Sequence, residues 1–141
     1  MIDNPSIEFS KGCLIGKRYE ILEEIGSGGY GVVFLANDII ENKQVALKFL
    51  KTQTKNPFEA LMLFKHETKV ISELNHRNIV ELYSIEQDSE YIYIVMEYIK
   101  GKNLETIIKE KIPLSITDKI KIIIQIAGAL DFVHDKNIIH R

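Results

Sequence analysis

Cysteine is nearly missing from this chain: Cys13 is the only one. A single cysteine excludes an intrachain disulfide and a cysteine-based metal centre, and a reducing, cytoplasmic setting is the expectation. Histidine offers no substitute, because no two of the four histidines stand at metal-ligand spacing. An excess of basic charge is also lacking. The formal net charge is −2 with both signs interspersed, so nucleic-acid binding has no electrostatic support. Long apolar runs are lacking too. The most apolar stretch, I-K-I-I-I-Q-I-A-G-A-L-D-F-V, is broken by Lys121, Gln125 and Asp131, and no membrane segment is expected. The opening M-I-D-N-P-S-I-E-F-S-K has no apolar core of the secretory kind. There are no repeats and no low-complexity linker.

The 141 residues amount to about one domain, and their 45% apolar and 27% charged content is ordinary for a globular chain. Residues 1–18 read as a loose leader. Y-E-I-L-E-E-I-G (Tyr19–Gly26) alternates apolar and polar residues, as a half-buried strand does. V-V-F-L-A-N-D and Q-V-A-L-K-F-L (Gln44–Leu50) read as two more strands, with a turn near Asn42 between them. Asn56 and Pro57 suit the start of a helix that runs to about Leu74, with Leu63, Phe64, Val70 and Ile71 on its apolar side. After a break at N-H-R-N, I-V-E-L-Y-S-I-E and Y-I-Y-I-V-M-E-Y read as strands joined at Q-D-S-E. A short helix follows Asn103. Ser115, with Asp118 three residues on, opens a long helix striped by Ile116, Ile120, Ile123, Ile124, Ala127, Leu130 and Val133. Three strands, a helix, two strands and further helices make an α+β chain.

G-S-G-G-Y-G (Gly26–Gly31) fits G-x-G-x-x-G. Glycines let backbone N–H groups approach an anion closely, but a glycine-rich β-turn gives the same hexamer. A dinucleotide-binding unit needs the last glycine to open a helix, whereas Gly31 opens the β-rich V-V-F-L-A. A Walker loop needs G-K-[ST], which does not follow. Val33 extends the match to G-x-G-x-x-G-x-V, and V-A-L-K (Val45–Lys48) falls in the third strand.

With these blocks the chain resembles a protein kinase, and it is most similar to Ser/Thr kinases of the bacterial, eukaryote-like type. The resemblance runs from about Tyr19 to Arg141. It includes E-T-K-V-I-S-E-L-N-H-R-N-I-V, I-Y-I-V-M-E-Y-I-K-G and I-A-G-A-L-D-F-V-H-D-K-N-I-I-H-R. It implies an amino-terminal lobe at 19–99, of five antiparallel strands and one helix, and the first helices of a carboxy-terminal lobe at 100–141. It also implies ATP as ligand, a Ser/Thr-bearing protein as substrate, and magnesium in the complete domain. Gly26, Ser27, Gly28, Gly29, Tyr30 and Gly31 would cover the phosphates, with Val32 following. Lys48 would hold the phosphates and Glu67 would orient Lys48. Ile25, Val33 and Ala46 would line the adenine slot from above and Leu104 from below, with Met96 at its back. The Glu97 carbonyl and the Ile99 N–H would pair with adenine, and Asn103 would reach the ribose. No residue here is given a metal. His76 and His134 are expected to be structural.

The family's H-R-D-L-x-x-x-N loop matches only as far as His140 and Arg141. The expectation is therefore a chain cut within that motif. On its own it would lack the catalytic aspartate and the magnesium-binding residues, and would be inactive. The alternative is a non-catalytic nucleotide-binding or kinase-docking protein.

Overall fold

The computed structural model describes residues 7–28, 31–50, 74–88 and 91–139. These fall into two compact units, 7–50 with 81–98 and 74–80 with 99–139.

The first unit is an antiparallel sheet. Its strands are β1 (Leu14–Ile15), β2 (Tyr19–Gly28), β3 (Gly31–Asp38), β4 (Lys43–Leu50), β5 (Leu82–Asp88) and β6 (Tyr91–Glu97), in the spatial order β1-β2-β3-β4-β6-β5. That is one strand more than the five expected. The addition is β1, which is two residues long and pairs Leu14 with Glu20 and Ile15 with Tyr19. Gly16 and Lys17 both adopt φ of 57°, and the Arg18 N–H donates to the Ile15 carbonyl at 3.0 Å. Two left-handed residues in succession make a turn whose twist suits a hairpin. A side chain on Gly16 would place its Cβ 2.7 Å from the hydroxyl of the buried Tyr93, so close packing sets glycine there, whereas Lys17 takes the same φ with a side chain.

Side chains alternate between the two faces of the sheet. One face carries Val32, Phe34 and Ala36 of β3, Val45, Leu47 and Phe49 of β4, and Tyr93 and Val95 of β6. Ile7, Phe9, Cys13 and Ile15 pack on this face. From Ile7 onward, then, the stretch read as a loose leader is part of the core. The cause is these four apolar side chains, which cover a face that would otherwise meet water.

β2 departs from simple alternation. Its register with β3 shifts between Ile21 and Glu23 and again between Glu24 and Gly26, so Leu22 and Ile25 have no cross-strand partner. The far end of β3 is fixed by Asp38, only 1% exposed. Its carboxylate accepts from Arg18 Nε at 2.9 Å and Nη2 at 2.7 Å, and from the N–H groups of Ile40 and Glu41 at 3.0 and 3.1 Å. The Arg18 bonds, then the two backbone donors, hold this carboxyl below the usual carboxylate range despite its burial. Asn42 completes the β3–β4 turn at φ 51°.

A second polar knot ties β2 to β5 and β6. The Glu86 carboxylate accepts from the hydroxyls of Tyr19 at 2.8 Å, Ser84 at 2.7 Å and Tyr93 at 3.2 Å. Burial first, and then Glu86, pushes both tyrosine hydroxyls well above their ordinary ionisation range.

In the second unit, α1 (Leu104–Lys109) is capped by Asn103, whose Oδ1 accepts from the Thr106 N–H at 2.7 Å. α2 (Ile116–His134) is capped by Ser115, whose Oγ accepts from the Asp118 N–H at 3.0 Å. Both helices stop in the same way, with a left-handed residue (Lys111, Asn137) that closes paired bonds back onto the last turn. The Ile112 N–H donates to Ile107 and Lys111 to Ile108; the Ile138 N–H donates to Val133 and Asn137 to His134. His76 Nδ1 accepts from the Asn78 N–H at 3.2 Å, and its ring stacks on Phe132 with centroids 5.0 Å apart, a structural role as expected.

Candidate functional site

Cross-strand register assembles the site. Gly26 pairs with Val33, Ser27 with Val32 and Gly28 with Gly31. The glycine-rich segment therefore joins two strands, and Gly31 opens β3 rather than a helix. Gly31 sits at φ 143°, a conformation open in practice only to glycine. Gly26 and Gly28 differ from it. Neither has positive φ, and a Cβ on either would meet no atom within 4 Å. Neither conformation nor protein packing requires glycine at these two positions.

Val33 pairs with Lys48, Lys48 with Ile94, and Ala46 with Met96. Alternation puts Val33, Leu35, Ala46, Lys48, Ile94 and Met96 on the face opposite the aromatic core. Lys48 is half-buried at the middle of an apolar row: Ala46 is 4% exposed and Ile94 is 8%. This is an apolar surface with one amine, beside a hairpin whose backbone is bare at two glycines. It can take a flat apolar group and an anion together.

The other expected positions divide by location. Ile25 is a bulge residue and 42% exposed. Glu97 ends β6; its N–H donates to the Glu81 carbonyl at 2.9 Å. Ile99 and Leu104 belong to the second unit and are exposed. Asn103, linked by resemblance to a ribose, spends its side-chain oxygen on the cap of α1. Gly29, Tyr30, Glu67, His140, Arg141 and the helix expected up to Leu74 lie outside the described residues, apart from Leu74 itself. Among the described residues no group of three or more His, Cys, Asp or Glu could hold a metal ion.

A hollow of about 280 Å³ at the β3–β4 turn, lined by Asn37, Asp38, Ile39, Asn42, Lys43 and Gln44, is a separate feature. Its buried carboxylate is already bonded by Arg18 and two backbone donors.

A family model described as the protein kinase domain matches residues 19–141. The chain belongs to the protein kinase family. Among relatives, it is 39% identical over 132 residues to the serine/threonine-protein kinase PrkC of Bacillus subtilis, covering 91% of this chain and 20% of that one. It is 40% identical over 130 residues to a probable serine/threonine-protein kinase of Clostridium acetobutylicum, covering 92% and 20%. The chain thus spans about a fifth of the length of these curated relatives. Among solved structures, the kinase domain of Mycobacterium tuberculosis PknI matches with a TM-score of 0.76 and 25% identity, over 95% of this chain and 54% of that one. The kinase-like α+β architecture expected from the sequence is therefore correct, with six strands in place of five.

Sequence reasoning missed the leader's place in the core and the bulge at Ile25. The leader's signal was present in the pattern I-E-F with Cys13 and Ile15.

Proposed function

We propose that this chain is the ATP-binding portion of a protein kinase that transfers the γ-phosphate to Ser/Thr hydroxyls of proteins. The observation that carries this reading is the pair Gly26 and Gly28. They are glycine without conformational or packing need, on a hairpin whose partner strand faces Lys48. A phosphate lying against the bare backbone supplies the need that the protein itself does not. Lys48 meets the phosphate charge as a compact cation, and Glu67 orients it. Val33, Ala46 and Met96 offer the apolar bed for adenine, with Ile25 over its edge. The Glu97 carbonyl and the Ile99 N–H provide the polar contacts of the base.

Among the described residues no group of three or more His, Cys, Asp or Glu could hold a metal ion; in a complete kinase domain magnesium would neutralise charge on the phosphates. Phosphoryl transfer rests on positioning and charge stabilisation. Within the proposal, residues 1–141 alone bind nucleotide without transferring phosphate, because no aspartate follows His140 and Arg141 among them. Use of ATP, together with a lone Cys13, supports a cytoplasmic setting for the reaction.

Calorimetric titration with ATP and magnesium tests the reading. Saturable binding is expected, and Lys48→Met should weaken it roughly tenfold or more, the loss of a charge-assisted contact. Equal affinity in both proteins, or a preference for NAD over ATP, would overturn it. Phosphotransfer to a Ser/Thr protein by purified residues 1–141 would overturn the expected inactivity.

A further inference from the structure

The leader places one aromatic ring directly behind the site. Phe9 lies against Phe34 (centroids 5.4 Å apart), Phe49 (4.8 Å) and Tyr91 (5.3 Å). Phe34 and Phe49 also meet each other edge to face at 5.7 Å. Phe49 follows Lys48 in β4, and its cross-strand partner Val32 follows Gly31 in β3. Neighbouring residues in a strand point to opposite faces. The ring cluster therefore stands back to back with the lysine and with the root of the glycine hairpin.

Among its described residues the leader is tied to the sheet at several points. The Gly12 N–H donates to the Ile21 carbonyl and the Ile21 N–H to the Cys13 carbonyl, each at 2.8 Å, the Gly16 N–H donates to Asp88 Oδ2 at 2.8 Å, Arg18 bonds Asp38, and β1 adds two residues of pairing. Through these bonds the leader, Phe9 included, is seated on the sheet. Its aromatic wedge is close-packed, and close-packed contacts are either made or lost rather than gradually loosened.

We propose that Phe9 is a positioning residue for the nucleotide. It braces the β3–β4 pair from behind, and so sets how firmly Lys48 and the glycine hairpin are presented to the phosphates. This rests on the ATP-binding reading above, and it makes the leader a determinant of affinity although the leader touches no ligand.

The test uses the full chain as wild type, Phe9→Ala, Phe9→Leu and Lys48→Met. ATP–magnesium titration is done well below every variant's melting temperature, alongside amide hydrogen exchange. Phe9→Ala should weaken ATP about three- to tenfold, and Phe9→Leu, which refills most of the space, should recover most of that loss. Exchange at Val32–Phe34 and Leu47–Phe49 should quicken in Phe9→Ala, while α2 stays unchanged. A folded Phe9→Ala with wild-type affinity overturns the proposal and leaves the ATP reading standing, provided Lys48→Met still loses binding. A wild type that binds no ATP overturns both. Should Phe9→Ala not fold, Phe9→Leu and Phe9→Val decide: affinity falling with side-chain volume supports the brace, and equal affinity removes it.

Discussion

The three described glycines of the loop do different work, and substitution separates them. At Gly31 the φ of 143° is strained for any side chain. Gly31→Ala should cost about 1–3 kcal/mol in denaturant unfolding. Gly26→Ala and Gly28→Ala meet open space. They should leave stability unchanged or raise it by up to about 1 kcal/mol, and yet weaken ATP in the same titration. A matching fall in stability and affinity at Gly28 would make that glycine structural. Asp38 provides a pH test. Its folded carboxyl titrates below the ordinary value of about 3.9 because Arg18 and two N–H groups favour the charged form. Its stabilisation is therefore complete above the unfolded value and lost as pH falls through the folded one. Asp38→Asn should flatten the decline in melting temperature below about pH 5 while lowering the plateau at neutral pH.

Among the elements, the helix caps are the parts most open to direct measurement. Ser115→Ala removes the acceptor for the Asp118 N–H and should cost about 1 kcal/mol, read as lost helicity and a lower unfolding midpoint. Ser115→Asp should retain most of the wild-type value. Ser115 was legible as a cap because Asp118 follows three residues on, at the head of an apolar-periodic run; Asn103 was legible only as the residue before a short helix, its side chain being linked to a ribose rather than to the cap it makes. The stop at Lys111 was not, since a lysine in the left-handed region carries no signal. β2 shows the same limit. Y-E-I-L-E-E-I-G reads as alternation through Gly26, but the alternation ends at Ile21, because Leu22 and Ile25 bulge. Two adjacent apolar residues, Ile21 and Leu22, were the only hint. The candidate site was legible only in pieces. The glycine loop, V-A-L-K and the hinge-like strand were visible as separate blocks, but only the pairing of Val33 with Lys48 and Ala46 with Met96 puts them on one face.

For the molecule as a whole, the face of α2 stands out. Ile116, Ile120, Ile123, Ile124, Ile126 and Leu130 are all exposed, and among its described residues only Val133 is buried. Contiguous apolar surface of this kind promotes association. The chain should scatter more light as concentration rises, and Ile123→Glu with Ile124→Lys should suppress the rise while leaving ATP titration unaffected. At the other end of the pH scale, Tyr19 and Tyr93 resist ionisation when folded. Their stabilisation is full below about pH 10 and disappears as pH climbs through the raised folded values. Glu86 makes this region unusual for a further reason. Three hydroxyls, one from β2 and two from the β5–β6 hairpin, donate to one carboxyl group, so that shared acceptor sets the direction of every bond around it. A glutamine there would keep the outline but bring a donor amide, and at least one hydroxyl would have to reverse its orientation. Shape would survive; the polarity that joins the first long strand to the last hairpin would not.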